Sequence, residues 1–449
     1  MAISGIHWPT FSGGNADNIA DVLSRFEQTE WLKSSELEAL QMSQLEELLH
    51  HATRKTPFYR DRLAVLKGLR RGKLTAEVFR TIPVLTRNDL QDPNNPLVSL
   101  SAPRDHGAWI DERSSGSTGR PVHIKTTAVS FVFRRAIRHR FHRWHQIDLT
   151  ETGANMSEMF GPKKALAQLN QPVTDVASFA LGPTYLFDVL TPIREQLLWL
   201  LAKKPAYLET YPSNLQALLD LSDEQGVRPE GLRLVTGFAE VFHQETKAQC
   251  MRQWQVPIAD LYAAREVGAI AFQCPDAAHL HIQSENLYVE ILDDDDAPCA
   301  PGEVGRVVVT DLHNFASPMI RYELGDYAEA GGACPCGRGL PVLRRIEGRI
   351  RNMITLPSGD LISPSLFPIT FTEAAPSLRQ WQAVQKTVNH MEFVLVVDAA
   401  LSEDEQGALK NAFVACMGGF SPRITFRYVD DIPRSKSGKF ETVKSELMK

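Results

Sequence analysis

Between Ala154 and Leu234 short apolar runs alternate with helix-length patterns, which limits the chain to a layered α/β architecture more sharply than any other stretch does. Ala177-Ser178-Phe179-Ala180-Leu181 reads as an apolar extended run, whereas Pro192 to Leu201 and Ser213 to Leu221 carry helical periodicity. Leu232-Arg233-Leu234-Val235-Thr236-Gly237-Phe238-Ala239-Glu240 then reads as a buried strand that leaves through a glycine into a loop. At 449 residues the chain is too long for one ordinary core, so a large domain with a smaller one, or three medium units, is expected.

Ahead of this region lies Ser114-Ser115-Gly116-Ser117-Thr118-Gly119-Arg120-Pro121. The glycines let backbone N–H groups turn inward, the hydroxyls add donors and Arg120 adds positive charge, a composition suited to cradling phosphate. Taken alone it reads equally as a solvated Ser/Gly turn. It is not a Walker A loop, because no Gly-Lys-Ser/Thr ending opens a helix behind it. Pro121 ends the turn, and Val122-His123-Ile124-Lys125 alternates like a strand.

Other partners are disfavoured. A net charge of −6 with 23% charged residues suits neither a nucleic-acid groove nor a polybasic membrane patch. Phe131 to His145 carries Arg134, Arg135, Arg138, Arg140 and Arg143 among aromatic residues, and with that net charge it reads as a solvated helix face that steers anionic substrates. The opening nine residues lack the basic and apolar regions of a signal peptide, no apolar run is long enough to span a bilayer, and a cytoplasmic protein is expected. Six unevenly spaced cysteines do not make a secreted disulfide framework, and in a reducing compartment they are free thiols or metal ligands.

Four further phrases carry chemistry. Ile258 to Gly268 is a short strand running into Tyr262 and, four residues later, Glu266; Ile320-Arg321-Tyr322-Glu323-Leu324-Gly325-Asp326 follows a hairpin turned at Pro301-Gly302. Gly348-Arg349-Ile350-Arg351-Asn352-Met353-Ile354 and Pro433-Arg434-Ser435-Lys436-Ser437-Gly438-Lys439 come last. In this order, with the loop at Ser114 to Pro121, these phrases resemble the motifs of the adenylate-forming superfamily, which includes acyl-CoA synthetases and peptide-synthetase adenylation domains. The opening segment is similar to that of the phenylacetate-CoA ligase-like branch: a capping box at Ser35 opens a helix with Leu37, Leu40, Leu45, Leu48, Leu49 and Ala52 on one stripe, followed by Thr56-Pro57-Phe58-Tyr59.

The resemblance implies a large multi-subdomain N-terminal adenylate-forming domain over residues 1–347 and a small, mobile α+β C-terminal domain over 348–449. It implies ATP, Mg²⁺ and coenzyme A, with a small-molecule carboxylic acid, aryl or otherwise, turned into acyl-AMP and then acyl-CoA. Ser114, Ser115, Gly116, Ser117, Thr118, Gly119 and Arg120 would hold the phosphates; Gly237, Glu240 and Tyr262 would line the adenine and acyl pocket. Glu266 would hold Mg²⁺, Asp326 the ribose hydroxyls, Arg349 ribose or phosphate, and Lys439 the developing charge, with Lys436 the alternative in another register. Three departures stand out: Ala263 replaces a Gly, Arg265 replaces a Ser or Thr and could reach a phosphate, and Asn352 replaces the hinge aspartate. Cys274, His281, Cys334 and Cys336 would close a structural Zn²⁺ site of the kind some members carry, His281 fitting their pattern better than His279; unligated thiols are the other reading. Transfer to an amine, hydroxyl or carrier-protein thiol, and nucleotide binding without turnover, stay open, as does a homodimer. No nucleic acid or membrane partner is expected.

Overall fold

The computed structural model describes residues 2–11, 17–93, 97–113, 122–159, 162–168, 170–173, 183–363, 371–435 and 439–447. The chain divides into two compact units, one of residues 1–150, 174–182 and 260–346, the other of residues 151–173, 183–259 and 347–449. The expected apolar run Ala177 to Leu181 and the loop Ser114 to Pro121 lie outside the described residues. Among the described residues no helix is long and apolar enough to cross a membrane.

In the first unit, the strands either side of Ser114 to Pro121, Trp109–Arg113 and His123–Thr127, pair antiparallel, with Arg113 opposite His123. Seven further strands follow the order Leu287–Leu292, Val304–Asp311, Tyr322–Ala330, Val342–Arg349, Leu280–Ile282, Gly268–Gln273 and Ile258–Ala264. The first two form the expected hairpin, with Gly302 at φ 95° in the turn.

The helix Ser34–Lys55 buries Leu37, Leu45, Leu48, Leu49 and Ala52 as their spacing predicts. Its start differs from the expected box at Ser35. Glu36 accepts the Lys33 N–H at 2.9 Å, while the Ser34 hydroxyl donates to the Gly339 carbonyl.

The Arg-rich helix Ala128–Trp144 departs from the solvated face its charge suggests: Arg138 and Arg140 are buried with Phe133, Ile137 and Phe141. Arg140 makes a two-pronged contact with Glu285 at 2.6 and 2.9 Å and lies 3.4 Å from Glu30, which also accepts from Trp144 and Arg338. Its phase on the helix places it on the apolar stripe, and two buried carboxylates make that position tolerable.

The second unit holds parallel strands in the order Leu234–Gly237, Tyr207–Thr210, Gly153–Ser157 and Thr184–Asp188. Helices Ile193–Lys203, Pro212–Glu224 and Gln244–Gln253 contribute Leu197, Leu215, Leu218 and Cys250 to the core with Met156 and Val235. This is the α/β alternation read from the sequence. The same unit contains a four-stranded sheet ordered Arg423–Tyr428, His390–Val397, Leu378–Thr387 and Val443–Ser445, over which the helix Glu403–Cys416 and Phe371 pack around Trp381 and Phe393. Ser402 caps that helix in a reciprocal pair with Glu405.

Candidate active site

Tyr262 lies in the strand Ile258–Ala264 and Asp326 in the strand Tyr322–Ala330, one residue after Gly325. Three strands separate them in the sheet order, a flat spacing of about 19 Å at the usual inter-strand distance. Yet the Tyr262 hydroxyl donates to Asp326 Oδ2 at 2.8 Å. The sheet therefore curls until its inner face brings the two side chains together, both of them buried.

Glu266 follows the same strand and is 8% exposed. Its carboxylate lies 3.6 Å from Arg87 Nη1, at the start of the helix Arg87–Gln91 that Thr86 caps through the Asp89 N–H. Its carbonyl accepts from Arg134 Nη2 at 3.0 Å. Arg134 also reaches Glu112 at 2.6 Å, just before the Ser/Gly loop, and Asp311 at 3.4 Å. Burial disfavours the Arg134 charge, but Asp311 and Glu112 outweigh it and raise its pKa; burial raises that of Asp311. Gly268, at φ 81°, lies where a Cβ would come within 3.3 Å of the Arg134 side chain. Arg134 thus ties together the ends of two segments that carry expected phosphate and metal contacts. Arg265 is exposed beside them.

In the second unit, Gly237 ends its strand where a Cβ would meet the Phe242 ring at 1.7 Å, so only glycine fits. Glu240 accepts the Ser213 N–H at 2.9 Å and the Phe440 N–H at 2.7 Å. Lys439 is half-buried next to Phe440. Arg349 ends the strand Val342–Arg349, and Asn352 lies in the short turn Ile350–Asn352 with its Oδ1 buried and without a hydrogen-bond partner among the described residues. Lys436 falls outside the described residues, as do Ser114, Ser115, Gly116, Ser117, Thr118, Gly119 and Arg120.

The cysteine half-sites come together in the first unit. Cys274 and Cys334 have Sγ atoms 3.8 Å apart, and one ligand atom from each of Cys274, His279, His281 and Cys334 lies within 4.8 Å of every other. Cys336 Sγ is 3.4 Å from His281 Nε2 and groups separately with Cys274 and Asp276. His279 is thus as well placed as the four residues expected from sequence. Backbone N–H groups of Asp276, Cys336 and Arg338 point at the three sulfurs at 3.4 to 3.5 Å. His281 Nδ1 faces the Leu340 carbonyl at 3.2 Å, which fixes the proton there and leaves Nε2 as a ligand. Burial pushes the Cys274 thiol up to about 12; at Cys336 burial is outweighed, chiefly by the Arg338 N–H, and the pKa is lowered.

Sequence reasoning missed Arg134, Asp311 and Ser213. For Arg134 a signal existed in its place within an arginine-rich helix one strand beyond the loop; for the bond between Ser213 and Glu240, 27 positions apart, no local pattern exists.

A family model described as the CapK C-terminal domain matches residues 354–446. The phenylacetate-coenzyme A ligase of Thermus thermophilus is 25% identical over 388 residues, covering 84% of this chain and 82% of the relative. Among solved structures, 2-hydroxyisobutyryl-CoA ligase in its postadenylation state with 2-HIB-AMP has a similar fold at TM-score 0.75 and 18% identity, covering 94% of this chain and 92% of the other. The same ligase with 2-HIB-AMP and CoA in its thioesterification state aligns at TM-score 0.62 and 18% identity, covering 98% and 96%.

Proposed function

We propose, on the premise that this chain is a homologue of the phenylacetate-coenzyme A ligases with an adenylate-forming fold, that it is an AMP-forming acid–thiol ligase. A carboxylate attacks the α-phosphate of ATP, giving acyl-AMP and releasing pyrophosphate. The thiol of coenzyme A then attacks the acyl carbonyl and expels AMP, its proton passing to solvent. What supports this reading most is the pairing of Tyr262 with Asp326, residues from two separate family-like phrases held 2.8 Å apart.

Each step assigns work to this chain. Asp326 accepts from the ribose hydroxyls, and Tyr262 holds that carboxylate in orientation while offering its ring to the base. Gly237, whose missing Cβ admits the Phe242 ring, lies beside the base, and Arg349 contacts ribose or phosphate. Residues Ser114 to Arg120 hold the leaving phosphates, with exposed Arg265 a further cation within the same phrase as Glu266. Glu266 would hold Mg²⁺, whose charge neutralises the phosphates. Lys439 brings a point cation to the carboxylate and α-phosphate as negative charge develops there. No protein nucleophile is needed, since positioning and electrostatics do the work. Residues 1–347 form the adenylation domain and 348–449 a mobile domain hinged near Asn352, whose withdrawal after adenylation opens a route for the thiol.

The cysteine cluster fits structural zinc. A tetrahedron with Zn–S bonds of about 2.3 Å has S···S edges of about 3.8 Å, the Cys274–Cys334 separation. Cys274, Cys334 and His281, with Cys336 or His279, would hold the ion, which fastens the two loops that carry them. The protein acts in the cytoplasm.

The test is pyrophosphate exchange and mass detection of acyl-CoA with MgATP, coenzyme A and a panel containing phenylacetate, benzoate and 2-hydroxyisobutyrate. Exchange together with acyl-CoA is expected. Exchange without acyl-CoA moves the acceptor to an amine, hydroxyl or carrier thiol, and nucleotide binding without exchange overturns the enzyme reading.

A further inference from the structure

Residues on both sides of Lys439 are hydrogen-bonded within the second unit. Arg434 Nη1 donates to Ser213 Oγ at 2.7 Å, and the Phe440 N–H donates to Glu240 Oε1 at 2.7 Å. The Ser435 N–H donates to the Lys439 carbonyl at 2.9 Å.

Both anchors share one support. Glu240 Oε2 accepts the Ser213 N–H at 2.9 Å, at the second residue of the helix Pro212–Glu224. The N-cap of that helix, Tyr211, supplies no side-chain cap, so Glu240 satisfies an otherwise unpaired helix-end donor from a distant loop. A carboxylate there also meets the positive end of the helix dipole. Burial lowers the pKa of the Arg434 guanidinium, and attraction to Glu240 and Tyr211 works against that shift. Ala239, just before Glu240, is held at φ 69°, a left-handed backbone that alanine rarely adopts and that aims the next side chain. Phe440 itself packs with Val384, Val394 and Ile432.

Glu240 therefore spends one oxygen on the helix and the other on the residue after Lys439. Consecutive Cα atoms are about 3.8 Å apart, so whatever holds the Phe440 N–H fixes where the lysine stem begins.

We infer that Ser213 and Glu240 are positioning residues that together form a receptor for Arg434 and Phe440, so that Lys439, next to Phe440, is presented for acyl-adenylate formation. This rests on the ligase reading for the role of Lys439. It separates the two half-reactions, because the lysine serves adenylation, whereas thioester formation proceeds after it withdraws. Glu240 in this role acts through Lys439 and does not itself touch the reacting atoms.

The experiment measures both half-reactions separately, using the acid that supports the fastest exchange in the unmodified protein and its chemically synthesised acyl-adenylate. In Glu240→Ala, pyrophosphate exchange falls ~10-fold or more, since a displacement of the order of 1 Å costs at least that much, and coenzyme A thioester formation from the supplied adenylate falls by a clearly smaller factor. Ser213→Ala removes only the hydroxyl that receives Arg434 and lowers exchange ~3-fold, as loss of one hydrogen bond predicts, and Ser213→Thr restores it. The serine pair keeps the test sharp should Glu240→Ala fold poorly. Equal losses in both half-reactions, or exchange undiminished in the alanine variants, overturn the receptor. Absence of pyrophosphate exchange in the unmodified protein with every acid of the panel overturns the ligase reading instead.

Discussion

The Tyr262 hydroxyl and Asp326 Oδ2, brought from strands with three others between them in the sheet order, form a 2.8 Å hydrogen bond in a buried setting. The bond orients the carboxylate proposed to hold ribose. Asp326→Ala removes both acceptor oxygens and is expected to raise the KM for ATP ~10-fold or more, as loss of two hydrogen bonds to a charged acceptor predicts. Tyr262→Phe removes one buried hydrogen bond and is expected to cost about 1 kcal/mol, near fivefold in ATP affinity. Titration calorimetry with ATP ranks the two, and a larger effect from Tyr262→Phe contradicts the assignment.

Lys439→Ala is expected to cut the adenylation rate by ~10²–10³, the scale of losing one group that stabilises developing charge. Burst measurement of pyrophosphate release reads this directly. Unimpaired release in the variant moves the role to Lys436.

Purified without chelator, the protein is expected to carry about one zinc per chain, as a closed four-ligand site holds a single ion. Cys274→Ser and Cys334→Ser lose the metal and lower the melting temperature, whereas Cys416→Ser, whose thiol belongs to the core of the second unit, keeps the metal. Elemental analysis decides, and zinc retained in both cluster variants rules the site out.

Acid sensitivity has an assignable source. His313, fully buried and stacked on Phe133 at 3.6 Å, has its pKa lowered to about 3 by burial, and His51 is lowered to about 4 for the same reason. Unfolded histidines take up protons near pH ~6.5 while these stay neutral, so the unfolded chain binds more protons in that window. Stability is complete above about pH 6.5 and is lost as pH falls toward about 4, at roughly 1.4 kcal/mol per pH unit for each residue. Urea unfolding at about pH 7 and about pH 5.5 measures the slope, and His313→Gln is expected to flatten it.

Two arginines on one helix should behave oppositely. Arg140→Ala leaves Glu285 and Glu30 buried without their cation and is expected to cost about 3–5 kcal/mol. Arg143→Ala, whose guanidinium meets Glu27 at the exposed surface, should cost less than about 1 kcal/mol. Denaturant titration separates them, and similar values for the two refute the buried network.

What can be read in advance is whatever lies within a few consecutive residues. Tyr262, Glu266 and Asp326 sit in short phrases whose resemblance to the adenylate-forming motifs marks them as candidates. The helices at 193–203 and 212–224 follow from periodicity alone. Arg140 is legible but easily misread: counting charges across Phe131 to His145 suggests a solvated face, whereas its phase with Phe133, Ile137 and Phe141 places it inside. The grouping of His279 with Cys274, His281 and Cys334 depends on a turn geometry that spacing does not encode. Glu240 and Phe440 are 200 positions apart, and no local pattern announces such a bond.

Each compact unit is assembled from three stretches of chain, so five crossings join them. Buried or half-buried donors in the first 150 residues bond to partners made much later: Gln41 to the Ser284 carbonyl, Arg140 to Glu285, His51 to the Phe315 carbonyl. During synthesis these groups must wait, solvated or unsatisfied, until roughly two hundred further residues have emerged, which at ordinary elongation rates is tens of seconds. A fragment ending near residue 150 has no means of completing that core. Expression of the whole chain, with folding helpers to shield the waiting helices, is therefore the route by which either unit is obtained.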